Sequence, residues 1–264
     1  LSGRDRFVEL YDIWRREIVP TRDRVFTRML DLVGIRVRSH GVWPPADLPD
    51  GPVVMVANHP FGIGDGIAIL SLAERLGRPF RVMIHADLLK VSEIRDYSLP
   101  VDFAETKEAL RNNLAVRHEA LRLLKEGVTI VVFPAGGVAT APKGFGAARD
   151  LPWKLFPAKL IQEARASVIP VHFAGQNGRL FHLVSRFSLT LRTSLLIREF
   201  ARLSGRAIDM TPGPVIPWSE LSREADRHAL TRRLHDAVFS LAPVVTRRAP
   251  RRGRGGIETF ERAA

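Results

Sequence analysis

The chain has 264 residues, 45% apolar and 26% charged, enough to bury one sizeable core and too apolar for a disordered protein. It contains no cysteine, which excludes disulfides, zinc–thiolate and iron–sulfur sites and a cysteine nucleophile. Forty Lys and Arg, 34 of them Arg, against 28 Asp and Glu give a formal net charge of +12, a field that attracts nucleic acid, anionic lipid head groups or phosphorylated substrates.

The opening residues, Leu1-Ser2-Gly3-Arg4-Asp5, show no apolar signal-peptide core, so export is not expected. No apolar run is long enough to span a bilayer as a helix. Phe7, Leu10, Tyr11, Ile13, Trp14 and Ile18 recur at helical spacing and predict a helix over residues 4–19, stopped by Pro20. Thr21 is the expected cap of a second helix, on which Val25, Phe26, Met29, Leu30 and Val33 recur before Gly34. The pair is amphipathic, basic and aromatic. It either packs on the following domain or lies in a membrane interface with Phe7, Trp14 and Phe26 as anchors, so residues 1–41 are expected to form a membrane-associating segment.

Beyond a Pro-rich stretch at 43–51, apolar strand-like runs occur at 53–56, 80–84, 129–133 and 168–173, with weaker ones at 207–210 and 215–216. Helical runs at 66–76, 105–125, 157–166, 190–203 and 219–241 alternate with them. The pattern predicts an α/β domain over 42–242 with a mostly parallel central sheet flanked by helices. Residues 243–264 read as a basic, disordered tail, where Arg247, Arg248, Arg251, Arg252 and Arg254 mix with Pro and Gly. No GxGxxG or P-loop opens a helix after a strand, and no His/Asp/Glu cluster has metal-ligand spacing.

Residues 53–66 are the most informative. The run Val53-Val54-Met55-Val56-Ala57 leads into Asn58-His59-Pro60-Phe61-Gly62-Ile63-Gly64-Asp65, with Asp65 at the start of the next helix. A loop at the carboxyl end of a parallel strand opens into the crevice where α/β sheets bind ligands. Asp65 can curl back to one imidazole nitrogen of His59 and leave the other as a base. The competing reading is Asp65 as a plain N-cap and His59 as a loop residue. A second strand runs out into Phe133-Pro134-Ala135-Gly136-Gly137, whose backbone N–H groups suit a phosphate or a developing oxyanion, unless this is an ordinary strand-to-helix turn. A third ends in Gly175-Gln176-Asn177. His172 within it reads as a satisfied core histidine, while His85 and Asp87 after an earlier strand could line the crevice.

The order Asn58-His59-Pro60 … Asp65, Phe133-Pro134-x-Gly136, Ile169-Pro170-Val171 resembles the glycerolipid acyltransferases, the lysophospholipid acyltransferase superfamily, over about residues 53–217. The likeness is strongest to its bacterial hemolysin-like, ornithine-lipid acyltransferase branch, where the His-to-Asp gap is one residue longer than usual, as with Pro60 to Gly64 here. The resemblance implies that His59 is the general base for an attacking hydroxyl and that Asp65 orients it. It implies a substrate-binding set of Asn58, Phe61, Gly62, Phe133, Pro134, Gly136, Gly137, Gln176 and Asn177. No cofactor is implied. Acyl-ACP or acyl-CoA is the co-substrate, a lysolipid is the acceptor, and no nucleic acid is expected as partner. The implied location is cytoplasmic, peripheral on the anionic inner face of the cytoplasmic membrane.

The chain departs from the phosphate-acceptor members, which read Phe-Pro-Glu-Gly-Thr-Arg where this chain has Ala135 and Gly137-Val138-Ala139. A lyso-ornithine-type acceptor is therefore expected in preference to lysophosphatidic acid. Two alternatives remain: a lipid or thioester hydrolase using the same pair, and a non-enzymatic basic protein that binds nucleic acid or membranes.

Overall fold

In the computed structural model, which describes residues 3–102, 106–185 and 189–243, apolar strands assemble into one seven-stranded sheet. These are β1 (Arg36–Ser39), β2 (Val53–Ala57), β3 (Phe80–His85), β4 (Ser98–Val101), β5 (Thr129–Val132), β6 (Ser167–Ala174) and β7 (Ala207–Pro212). Their order is β1-β7-β6-β2-β5-β3-β4, and every neighbouring pair is parallel except β6 with β7. The expected mostly parallel α/β sheet is the observed one.

Alternation along the central strands divides the core. Val53, Met55, Ala57, Ile169, Val171 and Phe173 face α2 (Val25–Val33) and α3 (Ile63–Glu74). Val54, Val56, Ile130 and Val168 face α4 (Lys107–Lys125), α5 (Leu155–Ala164) and α9 (Arg227–Phe239). Both faces are covered, which is why these strands read as unbroken apolar runs. Between β6 and β7 the chain makes α6 (Arg179–Val184) and α7 (Leu189–Ala201), and α8 (Trp218–Leu221) precedes α9.

The first helix, α1 (Gly3–Ile13), continues through a π-helical turn at Trp14–Ile18 and a 3₁₀ turn at Val19–Thr21. Trp14 and Phe26, two of the expected lipid anchors, are only 3% and 2% exposed. The Trp14 indole donates to Val25 O (3.0 Å), and Phe26 packs edge-on against Phe80 and Tyr97. Phe7 packs edge-on against Phe200 at 6.0 Å. Trp14 and Phe26 thus join the helical pair to the domain core and are not free to enter lipid, while Phe7 is half-buried at its edge. Thr21 does not cap α2. Arg24, in the left-handed region, precedes that helix, and Glu74 at the end of α3 accepts from Phe26 N (2.8 Å), Thr27 N (2.9 Å) and Thr27 Oγ1 (2.8 Å). A carboxylate there satisfies orphan amides and complements the helix dipole.

Residues 215–216 form only an isolated bridge, Val168 with Ile216, and the run at 219–241 is broken before Asp226, which caps α9 by accepting from Ala229 N at 2.8 Å. No helix among the described residues is long and apolar enough to cross a membrane. The Arg-rich tail, beyond residue 243, lies outside the described residues.

Candidate active site

β2 ends at Ala57 in the middle of the sheet, so the Asn58–Gly62 turn emerges between the carboxyl ends of β6 and β5. Asn58 is buried and bonds Phe173 at both main-chain groups: Oδ1 accepts from its N–H (2.7 Å) and Nδ2 donates to its carbonyl (2.9 Å). Its amide therefore extends the β2–β6 pairing past the end of β2 and holds the start of the turn.

His59 follows. Its Nδ1 lies 3.1 Å from Asp65 Oδ1, with His59 17% exposed and Asp65 fully buried. The contact is close but off-line for a straight hydrogen bond. Asp65 is not an N-cap. It sits in the first turn of α3 and its other oxygen accepts from Phe61 N at 2.9 Å, which folds the turn back over the carboxylate. That turn needs Gly62, at φ +83°, where a Cβ would come within 2.9 Å of Leu196 Cδ2 and 3.0 Å of Val138 Cγ2.

The β5–α5 connection forms the opposite wall. The Phe133 ring stacks on the His59 imidazole with centroids 4.0 Å apart. Gly136 N–H donates to Phe133 O (3.0 Å) and closes the turn, so it is not available to an oxyanion. Among the described residues no acceptor engages Gly137 N–H, which leaves that amide as the donor of the pair. Pro134 O accepts from Lys154 N at 2.9 Å. The same connection also holds the His59 main chain from both sides: Ala139 N–H donates to His59 O (2.8 Å), and His59 N–H donates to Asp150 Oδ1 (3.3 Å).

A small hairpin closed by the Thr140–Arg149 bridge hangs from this wall, and Gln176 clamps it, accepting from Ala148 N (2.8 Å) and donating to Gly146 O (3.0 Å). Asn177 donates to Phe61 O (3.3 Å), and the Phe61 ring lies over Gly175, where a Cβ would fall 2.5 Å from Cζ. His59, Asp65, Phe61, Phe133 and Asn177 therefore converge on one turn, while Asn58 and Gln176 act as braces.

The sequence reading missed Asp150. Its second oxygen accepts from the Trp153 indole at 3.0 Å. Burial pushes the Asp150 carboxyl above its ordinary range, opposed by the bonds from Trp153 and the His59 amide. An acidic residue three positions before an indole donor, just ahead of α5, was the one available signal. His172 is buried but not satisfied: its Nδ1 has no hydrogen-bond partner among the described residues, and burial lowers its pKa. Its ring faces Phe239 on the α9 side at 5.9 Å. His85 serves the chain locally, accepting from Asp87 N (3.1 Å) to cap a 3₁₀ turn.

The family described as Acyltransferase matches residues 12–202. A lyso-glycine lipid O-acyltransferase from Phocaeicola vulgatus is 24% identical over 208 residues, 74% of this chain and 70% of that protein. Another from Bacteroides thetaiotaomicron is 25% identical over 228 residues, 80% of this chain and 77% of that one. The crystal structure of the 1-acyl-sn-glycerophosphate acyltransferase PlsC from Thermotoga maritima shares the fold, with a TM-score of 0.53 at 18% identity over 91% of this chain and 81% of that chain.

Proposed function

The chain belongs to the acyltransferase family, within the glycerolipid and lysolipid acyltransferase superfamily, and from that premise we propose that it moves a fatty acyl group from acyl-ACP or acyl-CoA to the hydroxyl of a lysolipid with an amino-acid head group. The observation that carries this is the His59–Asp65 contact at the mouth of a parallel sheet. With Nδ1 turned to Asp65, Nε2 is the nitrogen left for the acceptor. His59 takes the hydroxyl proton as the oxygen attacks the thioester carbonyl, and Asp65 supports the imidazolium that forms. The tetrahedral intermediate collapses, the carbon–sulfur bond breaks, and the departing thiolate takes the proton back from His59. Gly137 N–H is the donor offered to the developing oxyanion.

The amino-acid head group is supported by the two lyso-glycine lipid relatives and by Ala135 and Val138, which bring no charge to the turn where a phosphate would need one. Glycine and ornithine heads both fit this reading. Access is from an anionic membrane surface, the cytoplasmic face being our assignment. Elements leaving the carboxyl ends of the strands carry exposed Leu88, Leu110, Leu114, Phe145, Leu151 and Leu183 beside exposed Lys90, Lys107, Arg111, Arg149 and Lys154. Each cation near such a surface contributes on the order of 1 kcal/mol. The test is to offer purified protein lyso-glycine lipid, lyso-ornithine lipid and lysophosphatidic acid with either thioester. An ester product on the amino-acid lipids supports the proposal. Preference for lysophosphatidic acid refutes the acceptor, and free fatty acid as sole product refutes transfer.

A further inference from the structure

We propose that Asp150 is a second acidic member of this centre, a positioning residue that fixes the main chain of His59 and, through Trp153, locks the β5–α5 wall against it. The inference rests on the His59 mechanism above. Its basis is that both Asp150 oxygens have a dedicated donor, His59 N–H at 3.3 Å and the Trp153 indole at 3.0 Å. A half-buried carboxylate is costly to keep unless it is bonded in this way. Two carboxylates then flank one histidine, Asp65 at the ring and Asp150 at the backbone.

The consequences follow from which atoms are held. His59 O is fixed by Ala139 N–H and His59 N–H by Asp150, so the position of the imidazole along the crevice is set by the β5–α5 wall as much as by its own strand. Trp153 carries the restraint outward, since its ring meets His235 at 5.2 Å and Phe239 at 6.2 Å on α9. Burial raises the Asp150 carboxyl most strongly, and Asp65 also repels its charge, while Trp153, the His59 amide and the His59 ring favour the ionised form. When His59 takes the acceptor proton, the cation that forms favours the ionised form of Asp150. An asparagine cannot replace it, because one amide oxygen accepts while the NH₂ group faces the other donor.

The experiment compares Asp150→Asn, Trp153→Phe, the Asp150→Asn/Trp153→Phe double variant and His59→Ala with the wild-type chain, using palmitoyl-CoA and palmitoyl-ACP with lyso-glycine lipid and recording melting temperature beside kcat and KM. A shift of about 1 Å at a reacting group costs on the order of 100-fold. We therefore expect Asp150→Asn to lower kcat by about 10- to 100-fold with the thioester KM within about threefold. Trp153→Phe should lower kcat less, and the double variant should be no slower than Asp150→Asn alone, because both remove one restraint. If Asp150→Asn turns over within about twofold of wild type while His59→Ala is inactive, the inference fails and the reading of the site stands. If activity per folded molecule is unchanged, Asp150 serves stability alone and the inference also fails. Turnover by His59→Ala overturns both.

Discussion

Replacing Asp65 with Asn isolates the electrostatic half of the His59 pair without changing its shape. Asp65 is fully buried, accepts from Phe61 N–H at 2.9 Å with one oxygen and sets the other 3.1 Å from His59 Nδ1. An asparagine keeps the Phe61 bond only if its oxygen stays there, which turns the NH₂ group toward Nδ1. The imidazole must then accept at Nδ1 and carry its proton at Nε2, and in that tautomer it cannot take a proton from the acceptor hydroxyl. The same change in a serine-protease triad costs about 10⁴-fold, so a loss of roughly 10²- to 10⁴-fold in kcat/KM is expected, or about 2.7–5.4 kcal/mol of transition-state stabilisation. The assay is ester formation on lyso-glycine lipid, with circular dichroism and melting temperature to show the fold intact. Activity within about threefold of wild type in a folded Asp65→Asn protein would falsify the tautomer argument.

Glu74→Ala removes three hydrogen bonds from the first turn of α2. It should cost about 2–4 kcal/mol, lowering Tm by roughly 5–15 °C in a thermal melt. Asn58→Ala leaves Phe173 N–H and C=O unpartnered beside the site, at about 1–3 kcal/mol for each group, so denaturant midpoint and activity should fall together. Trp14→Ala should cost about 3–5 kcal/mol by emptying a core position, leaving liposome binding of the folded fraction unchanged. Weakened binding at unchanged stability would return Trp14 to the membrane. Burial lowers the pKa of His172 and His182 below the ordinary 6.5. Between their folded values and 6.5 the unfolded chain binds more protons, so their contribution to stability is full above about 6.5 and is lost as pH falls through the folded values. His172→Leu should flatten the fall of Tm between about pH 7 and 5, and an unaltered slope would refute the assignment.

The central strands were legible because both sheet faces are covered, so Val53 to Ala57 and Thr129 to Val132 are apolar without a break. The edges were not. β1 reads Arg36-Val37-Arg38-Ser39 and is held in part by the pairing of Arg38 with Asp209 (Nη2–Oδ2 2.9 Å), a contact 171 residues away in sequence. β4 contains Pro100 and lies at the other edge, where a missing N–H is tolerated. At the site, the His59–Asp65 pair could be read because its members are six residues apart and the turn between them is short. Asp150 could not be, since it is 91 residues beyond His59 and meets only its main chain. Helical spacing identified the apolar stripe of the first two helices but not what it touches: Trp14 and Phe26 are as suited to a protein core as to lipid.

Transfer through His59 is tested by mass spectrometry of the lipid product, with thiol release followed in the same reaction, for wild-type chain and His59→Ala. With His59 as the base, the wild type forms one acylated lysolipid for each thiol released, and a folded His59→Ala protein forms neither product. Thiol release that proceeds equally without the lysolipid, or an ester product formed undiminished by His59→Ala, would contradict it.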